Sequence, residues 1–466
     1  MINLSHFSKC STLIDKHFRA KGDFFLCTDT RKYKHPGFFV AIPGAKVNPL
    51  DLCEDLLTKG CSLVVYQKST ENDLKAAVLK VKFPNTDFLT CLDSVTFLQE
   101  LSQAHTEAWK HTSSRNTVFA ISGSNGKTTH KEMLAHILKT ILPGKVVATE
   151  KNNNNHLGVP LTLLQAGRDT EIVVLELGSN HPGEIKVLCD IAFPTAGLTT
   201  NIGATHLEFF GSEEAVFEEE GHLFHAVNEF TAGKGFFLQN IDDNFLKRWK
   251  KSAGTISYGE NSGADAKIKF TEKGAILSYK DLTLSVVNDH ITGRHNKLNL
   301  ITCAFIAHHF YPEQKAAIEA AASEFKPTKN RSEWMDVDGK AVFLDAYNAN
   351  PSSMMAALQG FKESVESQGR KLSEACVVLG DMNELGDSTP LYHQEVGEYV
   401  KKLGFTHVYF VGRYASHYLK GFPEGHAQES SAEFKPIYRS TCLPSFSHHF
   451  IKGSRSLQLE SLFDIT

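Results

Sequence analysis

The residues best suited to chemistry form a short glycine loop, Gly123-Ser124-Asn125-Gly126-Lys127-Thr128-Thr129, directly after the apolar, β-branched run Thr117–Ser122. Glycines there let backbone amides converge on phosphate oxygens without interference from Cβ atoms. A helix beginning at the loop adds partial positive charge. Lys127 can reach the outer phosphates, and the hydroxyl of Thr128 or Thr129 can ligate Mg²⁺. The common phosphate loop is GxxxxGK[ST]; here the position five before Gly126 is Ile121, so that spacing fails. The competing reading is a plain glycine turn between a strand and a helix. Two more candidates are Glu176, which ends the run Ile172–Glu176, and His206, which follows Ala196–Thr200. Both fall at the carboxyl ends of predicted strands, where open α/β sheets bind ligands. Taken alone, Glu176 reads equally as a solvated or capping carboxylate, and His206 as a structural histidine.

The elements that must position these residues can be read from spacing. Lys131–Leu142 has apolar residues at helical intervals and is stopped by Pro143-Gly144. Thr117–Ser122, Glu171–Glu176 and Ala196–Thr200 read as buried strands, interleaved with helices, of a mainly parallel sheet covered on both faces. This is a central domain, residues 113–326. Before it, residues 1–112 form a small α/β domain with strands at Phe38–Ile42 and Ser62–Tyr66 and a helical segment from Asp51 to Lys59, closed by Gly60. The polar stretch His105–Asn116 reads as a linker. After the central domain, residues 327–466 contain strands at Ala341–Asp345, Ala375–Leu379 and His407–Val411, with helices at Ser353–Glu366 and Tyr392–Lys402 between them. This is a second, Rossmann-like α/β sheet. The fold class is therefore α/β with three domains, in keeping with 466 residues at roughly 100–200 per domain.

Composition narrows the partners. A net charge of −4 gives no global attraction to nucleic acid or anionic membrane. No apolar run reaches the ~18 residues that span a bilayer, and the N-terminal residues lack a signal peptide's apolar core. A cytoplasmic, monomeric protein is expected. Nine scattered cysteines without a CxxC pair argue for reduced, mostly buried thiols and against a disulfide framework or zinc knuckle.

Several further strings, in fixed order, resemble the Mur ligases of peptidoglycan precursor synthesis. They are Asn152-Asn-Asn-Asn155-His-Leu-Gly-Val-Pro160, Glu176-Leu-Gly-Ser-Asn-His-Pro-Gly-Glu184, Asn201-Ile-Gly-Ala-Thr-His206-Leu-Glu-Phe-Phe-Gly211, Asp345-Ala-Tyr-Asn348-Ala-Asn350-Pro351, Leu379-Gly-Asp-Met-Asn-Glu-Leu-Gly386 and Lys452-Gly-Ser-Arg455. The short loop Ser122–Thr129 is similar to that family's version. Thr28-Asp-Thr30-Arg31 is similar to its UDP-binding first domain. The resemblance covers about residues 25–460 and is nearest to the branch that adds D-alanyl-D-alanine to UDP-N-acetylmuramoyl-tripeptide. It implies ATP as co-substrate and two Mg²⁺ ions. It implies that the tripeptide carboxylate attacks the γ-phosphate, and that the dipeptide amine then displaces phosphate from the acyl phosphate. Lys127 is implied to neutralise the β/γ-phosphates. Thr128 and Glu176 are implied to hold one Mg²⁺, and His206 with Glu220 the second. Asn296 is implied at adenine, and Arg331 and Asp345 at the nucleotide from the third domain. Thr30, Arg31, Asn152, Asn154, Asn155, Asn348, Asn350, Lys452 and Arg455 are implied at the substrates. Without the resemblance, Asn348 and Asn350 read as a capped turn before Pro351.

The sequence departs from the family at one chemically important place. Where the resemblance implies a CO₂-modified lysine followed by glycine and glutamate, this chain has Glu220-Gly221-His222, and no lysine lies between Lys186 and Lys234. Either Glu220 supplies the anion directly, which hard Mg²⁺ accepts, or the second metal site is weakened. Glu218–Glu220 as a solvated helix face is a third reading. Asn330 also stands before Arg331 where glycine is usual, a position asparagine can fill at φ > 0. Rival functions are another amide ligase of the superfamily, such as the diamino-acid adder or a folylpolyglutamate synthase, and a non-catalytic nucleotide-binding homologue. The diamino-acid adder is expected to carry Asp-Asn-Pro-Arg, which is absent here.

Overall fold

Strand residues alternate sides, so a strand with two apolar sides must be covered on both. The computed structural model, which describes residues 25–35, 37–44 and 46–463, shows this in the first sheet. Phe38 and Val40 pack on one face with Phe97 and Leu101, while Phe39 and Ala41 pack on the other with Leu56 and Val64. The sheet has four strands, β1 (Phe25–Cys27), β2 (Gly37–Ala41), β3 (Leu63–Gln67) and β4 (Asp87–Cys91), all parallel and in that order.

The expected linker His105–Asn116 is instead helical as far as Lys110. Asp93 caps a helix over Ser94–Lys110 that buries Phe97, Leu98, Leu101 and Trp109 on one face. Its polar residues tie down backbone carbonyls. His105 reaches Ala166 O at 2.8 Å, Trp109 donates to Thr170 O at 3.1 Å, and Lys110 donates to Phe193 O at 2.8 Å. These bonds are long-range, so local composition misread a structural helix as a linker.

The central sheet comprises β5 (Thr117–Ser122), β6 (Val146–Ala148), β7 (Ile172–Glu176), β8 (Ala196–Thr199), β9 (Phe236–Asn240), β10 (Thr255–Gly259), β11 (Ala266–Phe270), β12 (Gly274–Tyr279) and β13 (Leu282–Val287). Their order is β13-β12-β11-β10-β9-β8-β5-β7-β6. Strands β9, β10 and β11 pair in parallel, as do β6 and β7. The meander β11-β12-β13 is antiparallel, a feature absent from the sequence expectation. The third sheet comprises β14 (Glu333–Val337), β15 (Lys340–Asp345), β16 (Ala375–Gly380), β17 (His407–Val411), β18 (His426–Gln428) and β19 (His448–Lys452), in the order β14-β15-β19-β16-β17-β18. All pairs are parallel except β14 with β15. Both of its faces are apolar, with Val377, Phe410 and Phe450 on one side and Val378, Val411 and Ile451 on the other.

By contact density the described residues group into two units. One holds 25–120, 144–177 and 186–196; the other holds 121–143, 178–185 and 197–463. The eight described cysteines are free thiols, seven of them buried. Among the described residues no helix is long and apolar enough to cross a membrane.

Candidate active site

The phosphate loop is built by two glycines at positive φ, Gly123 at +118° and Gly126 at +79°. A Cβ on Gly123 would lie 2.2 Å from Thr200 Oγ1 and 2.8 Å from Thr200 N, so only glycine lets the loop pack this closely on the segment after β8. That segment holds the loop. Ser124 N donates to Asn201 O at 2.9 Å, Thr200 Oγ1 donates to Asn125 O at 2.6 Å, and Gly203 N donates to Ser124 Oγ at 2.9 Å. Lys127 and Thr128 open the helix Lys127–Ile141, whose first-turn amides are its unpaired donors. The Lys127 ammonium folds back onto the Gly123 carbonyl, so incoming phosphates must compete with that carbonyl. One turn on, buried His130 bonds the Gly126 carbonyl through Nδ1 at 3.0 Å. Burial pushes its pKa down to about 4, so it braces the loop as a neutral ring.

Beneath the loop runs the helix Glu213–Phe230, capped by Ser212. Glu218 is exposed, but Glu219 and Glu220 are 3% and 2% exposed, which rules out a solvated face for those two. Glu220 Oε2 accepts the Gly123 N–H at 2.6 Å. Burial raises the Glu220 pKa, opposed by Lys127 and by the Gly123 hydrogen bond. Glu219, which the sequence left unassigned, accepts the N–H groups of Gly183 at 2.6 Å and Ile185 at 2.7 Å, at the start of the helix Glu184–Ala192. His222 Nε2 lies 4.0 Å from Glu219 Oε2.

Residues of the third sheet's domain reach this loop. Asn350 caps the helix Pro351–Ser367 through Oδ1 and donates from Nδ2 to Asn125 Oδ1 at 2.7 Å, while Asn125 Nδ2 donates to Ser352 Oγ at 2.8 Å. The capped-turn reading thus describes Asn350, whose amide also meets the phosphate loop. Exposed Asn348 accepts its own chain's Ala349 N–H. His206 Nδ1 lies 2.5 Å from Glu384 Oε2, and the neighbouring imidazole holds the Glu384 carboxyl below its ordinary pKa. Lys452, buried at the end of β19, pairs with Asp345 at 2.6 Å and donates to Asn348 O at 2.9 Å. The Arg331 guanidinium stacks 3.8 Å over the Tyr347 ring. Asn330 adopts φ +62°, as expected of a residue standing in for glycine. Arg455 pairs with Glu460. Asn296 donates to Thr292 O at 3.0 Å, and it is Asn299, unassigned from sequence, whose Nδ2 stands 3.4 Å from where a Gly126 Cβ would be.

The remaining candidates belong to the other unit. Glu176 is 3% exposed, donates its N–H to Thr149 Oγ1 at 3.0 Å and accepts from Asn154 Nδ2 at 2.9 Å. Asn155 Oδ1 accepts from Leu157 N and Gly158 N, in the turn just ahead of the helix Gly158–Leu163. Asn152 is exposed. Thr30 begins a single helical turn capped by Asp29, whose carboxylate pairs with exposed Arg31 at 2.8 Å.

Residues 121–307 match the Mur ligase middle domain, and residues 330–435 match the Mur ligase glutamate ligase domain. The UDP-N-acetylmuramoyl-tripeptide–D-alanyl-D-alanine ligase of Bacillus subtilis (strain 168) is 31% identical over 402 residues, which is 85% of this chain and 81% of that protein. The chain belongs to the Mur ligase family. The Escherichia coli (strain K12) protein of the same name is 30% identical over 94% of this Mur ligase and 92% of its own length. A crystal structure of MurF from Acinetobacter baumannii superposes with a TM-score of 0.78 at 26% identity, covering 94% of this chain and 92% of that one.

Among the described residues of this Mur ligase, no three His, Cys, Asp or Glu side chains converge on one point. Mg²⁺ favours substrate phosphates, waters and one or two protein oxygens over an all-protein cage. The Thr128 hydroxyl and the Glu176 carboxylate are hard donors of that kind. Glu220 departs from the sequence expectation in one respect: its carboxylate already serves the loop's N–H, so a cation must share it. Glu384 was missed because its role depends on a partner 178 positions away in the chain, at His206.

Proposed function

We propose that this chain is an ATP-dependent ligase that joins D-alanyl-D-alanine to UDP-N-acetylmuramoyl-tripeptide through an acyl phosphate, in peptidoglycan precursor synthesis. The observation that carries this reading is the clasp between Asn125 of the phosphate loop and the Asn350–Ser352 turn. It brings the acceptor-side motif to the nucleotide loop, in a chain of the matching family.

The chemistry needs little covalent help from the protein; positioning and charge neutralisation carry the rate. The loop amides and Lys127 hold the β- and γ-phosphates while the tripeptide carboxylate oxygen attacks the γ-phosphorus. ADP leaves with the bridging oxygen. The dipeptide amine then attacks the acyl carbonyl, loses a proton, and inorganic phosphate departs. Bound Mg²⁺ supplies charge neutralisation of the phosphates; Thr128 and Glu176 are the residues to hold it, with His206 and Glu220 at a second position. Glu220 supplies its fixed negative charge from beneath Gly123, with no modified lysine. Asp345, held by Lys452, and Arg331, stacked on Tyr347, serve the nucleotide from the third domain, and Asn296 serves adenine. Thr30, Arg31, Asn152, Asn154 and Asn155 serve the UDP-sugar peptide; Asn348, Asn350, Lys452 and Arg455 serve the acceptor side. The protein works in the cytoplasm, as a monomer.

The test is phosphate release with UDP-N-acetylmuramoyl-tripeptide, ATP and D-alanyl-D-alanine. Turnover requiring all three is the expected result. Turnover only with a different acceptor places the chain elsewhere in the superfamily, and ATP binding without turnover makes it a non-catalytic homologue.

A further inference from the structure

Four parallel strands of the third sheet, β15, β19, β16 and β17, lie side by side and send their carboxyl ends to one edge. Open α/β sheets bind ligands at that edge. Asp381, the first residue after β16, ties three of the ends together. Its buried carboxylate accepts the N–H groups of Arg413 at 3.1 Å and Tyr414 at 3.0 Å, just past β17. Its carbonyl accepts from Ser454 N at 3.0 Å and Ser454 Oγ at 2.6 Å, just past β19. A Cβ on Gly412 would lie 2.4 Å from the Asp381 carboxylate, so the chain after β17 is wrapped closely around it. Lys452, Arg455 and Arg413 are the cations at these strand ends. Two are already paired, Lys452 with Asp345 and the Asn348 carbonyl, and Arg455 with Glu460. Arg413 is exposed, and among the described residues no carboxylate forms an ion pair with its guanidinium. The guanidinium lies 4.4 Å over the Tyr414 ring, which in turn packs against the rings of His393 at 5.0 Å and His417 at 6.1 Å. Stacking uses the flat face of the guanidinium. It leaves the in-plane N–H fork free, the geometry that takes a carboxylate through two hydrogen bonds.

We propose that Arg413 binds the free carboxylate of the acceptor dipeptide, and so measures the acceptor's length. The identity of the acceptor rests on the ligase reaction proposed above. Asn348 and Asn350 follow β15, and Asn350 meets the phosphate loop, where the acceptor amine must react. β15 and β17 are three strand spacings apart, about 14 Å. An extended acceptor of two residues spans at most about 7 Å, and the Arg413 side chain reaches across the remainder. A single amino acid covers about half as much and leaves its carboxylate short of the guanidinium. A dipeptide with a neutral C-terminus reaches it but cannot form the charge-assisted pair. Arg413 therefore selects for both length and charge at a distance from the phosphate chemistry.

The experiment is steady-state turnover of the full chain with UDP-N-acetylmuramoyl-tripeptide, ATP and either D-alanyl-D-alanine or D-alanyl-D-alaninamide. Wild type is expected to prefer the carboxylate to the amide by about 10–100-fold in kcat/KM, the worth of hydrogen bonds to a charged group. Arg413→Ala, at an exposed side chain, is expected to lose that factor with the dipeptide and little with the amide. Its preference should fall below about threefold, with KM for ATP within about threefold of wild type. Arg413→Lys keeps the charge without the fork and is expected to fall between the two. A preference that survives Arg413→Ala, or an equal loss with both acceptors, overturns the proposal. Failure of wild type to turn over the three substrates refutes the proposed reaction instead, and the anchor is then read directly. The Arg413 Nε–H signal in ¹⁵N-arginine-labelled protein, assigned by its loss in Arg413→Lys, is expected to move with millimolar D-alanyl-D-alanine and not with the amide. A signal that moves with neither, or with both alike, overturns the anchor.

Discussion

Glu220 makes two demands that substitution can separate: the Gly123 N–H needs an oxygen, and a buried site disfavours a charge. Its carboxylate is 2% exposed and accepts that N–H at 2.6 Å. Glu220→Gln keeps an acceptor of the same length and removes the charge. Glu220→Ala removes both and leaves a buried donor unmatched, at about 1–3 kcal/mol. The two variants should therefore differ by about 2 kcal/mol, or roughly 4–8 °C in the midpoint of a domain of 150–250 residues. Acidity gives a second measure. Burial raises the folded-state pKa of Glu220 above its ordinary 4.5, so folding favours the protonated form. The penalty for the charged form is absent in acid, grows as pH rises from about 4.5 through the raised value, and stays constant above it. Glutamine carries no such penalty, so Glu220→Gln should gain on wild type as pH rises and match it in acid. The assay is thermal unfolding of the nucleotide-free protein across that pH range, beside turnover at neutral pH, where the glutamine variant should be stable yet slow. A glutamine variant that unfolds no later than the alanine variant, or a gap to wild type that ignores pH, would refute the reasoning.

Other outcomes follow from single features. Activity should be unchanged after CO₂ depletion, because Glu220 stands at the modified-lysine position; a strong loss restored by bicarbonate would refute it. Gly123→Ala places a Cβ 2.2 Å from Thr200 Oγ1 at φ +118°, so ADP binding measured by calorimetry should weaken at least about tenfold, ~1.4 kcal/mol. Lys452→Met strands the Asp345 carboxylate, their side chains being 3% and 16% exposed; urea unfolding should show a loss of about 3–5 kcal/mol.

Apolar, β-branched runs made much of the fold legible. β5 and β17 occupy the residues expected from spacing, and β7 and β8 lie one residue inside their predicted runs. What escaped notice lacked a local signature. β19 reads His-His-Phe-Ile-Lys, polar at both ends, yet every one of its residues is buried because strands pair on either side of it. The β11-β12-β13 meander sits at the sheet edge; in β13 only Leu284 and Val286 are buried, too weak an alternation to stand out. At the site, the loop, His206 and Glu220 drew notice in the sequence because their residue types suggest chemistry. Glu219, Asn299 and Glu384 were not, because burial and tertiary partners define what they do.

The place of β19 has a consequence for how the protein is made. It lies between β15 and β16, so residues 346–447 must be synthesised before the middle of the third sheet can close. Until His448–Lys452 arrive, β15 and β16 each present an unpaired inner edge, a hazard for association with other chains. The same late strand delivers Lys452 to Asp345, so the C-terminal domain gains its pairing and this buried ion pair in a single step of synthesis. A ribosome stalled short of residue 448 should hold a C-terminal domain still open to protease, while the first sheet and the phosphate loop are already out of the exit tunnel.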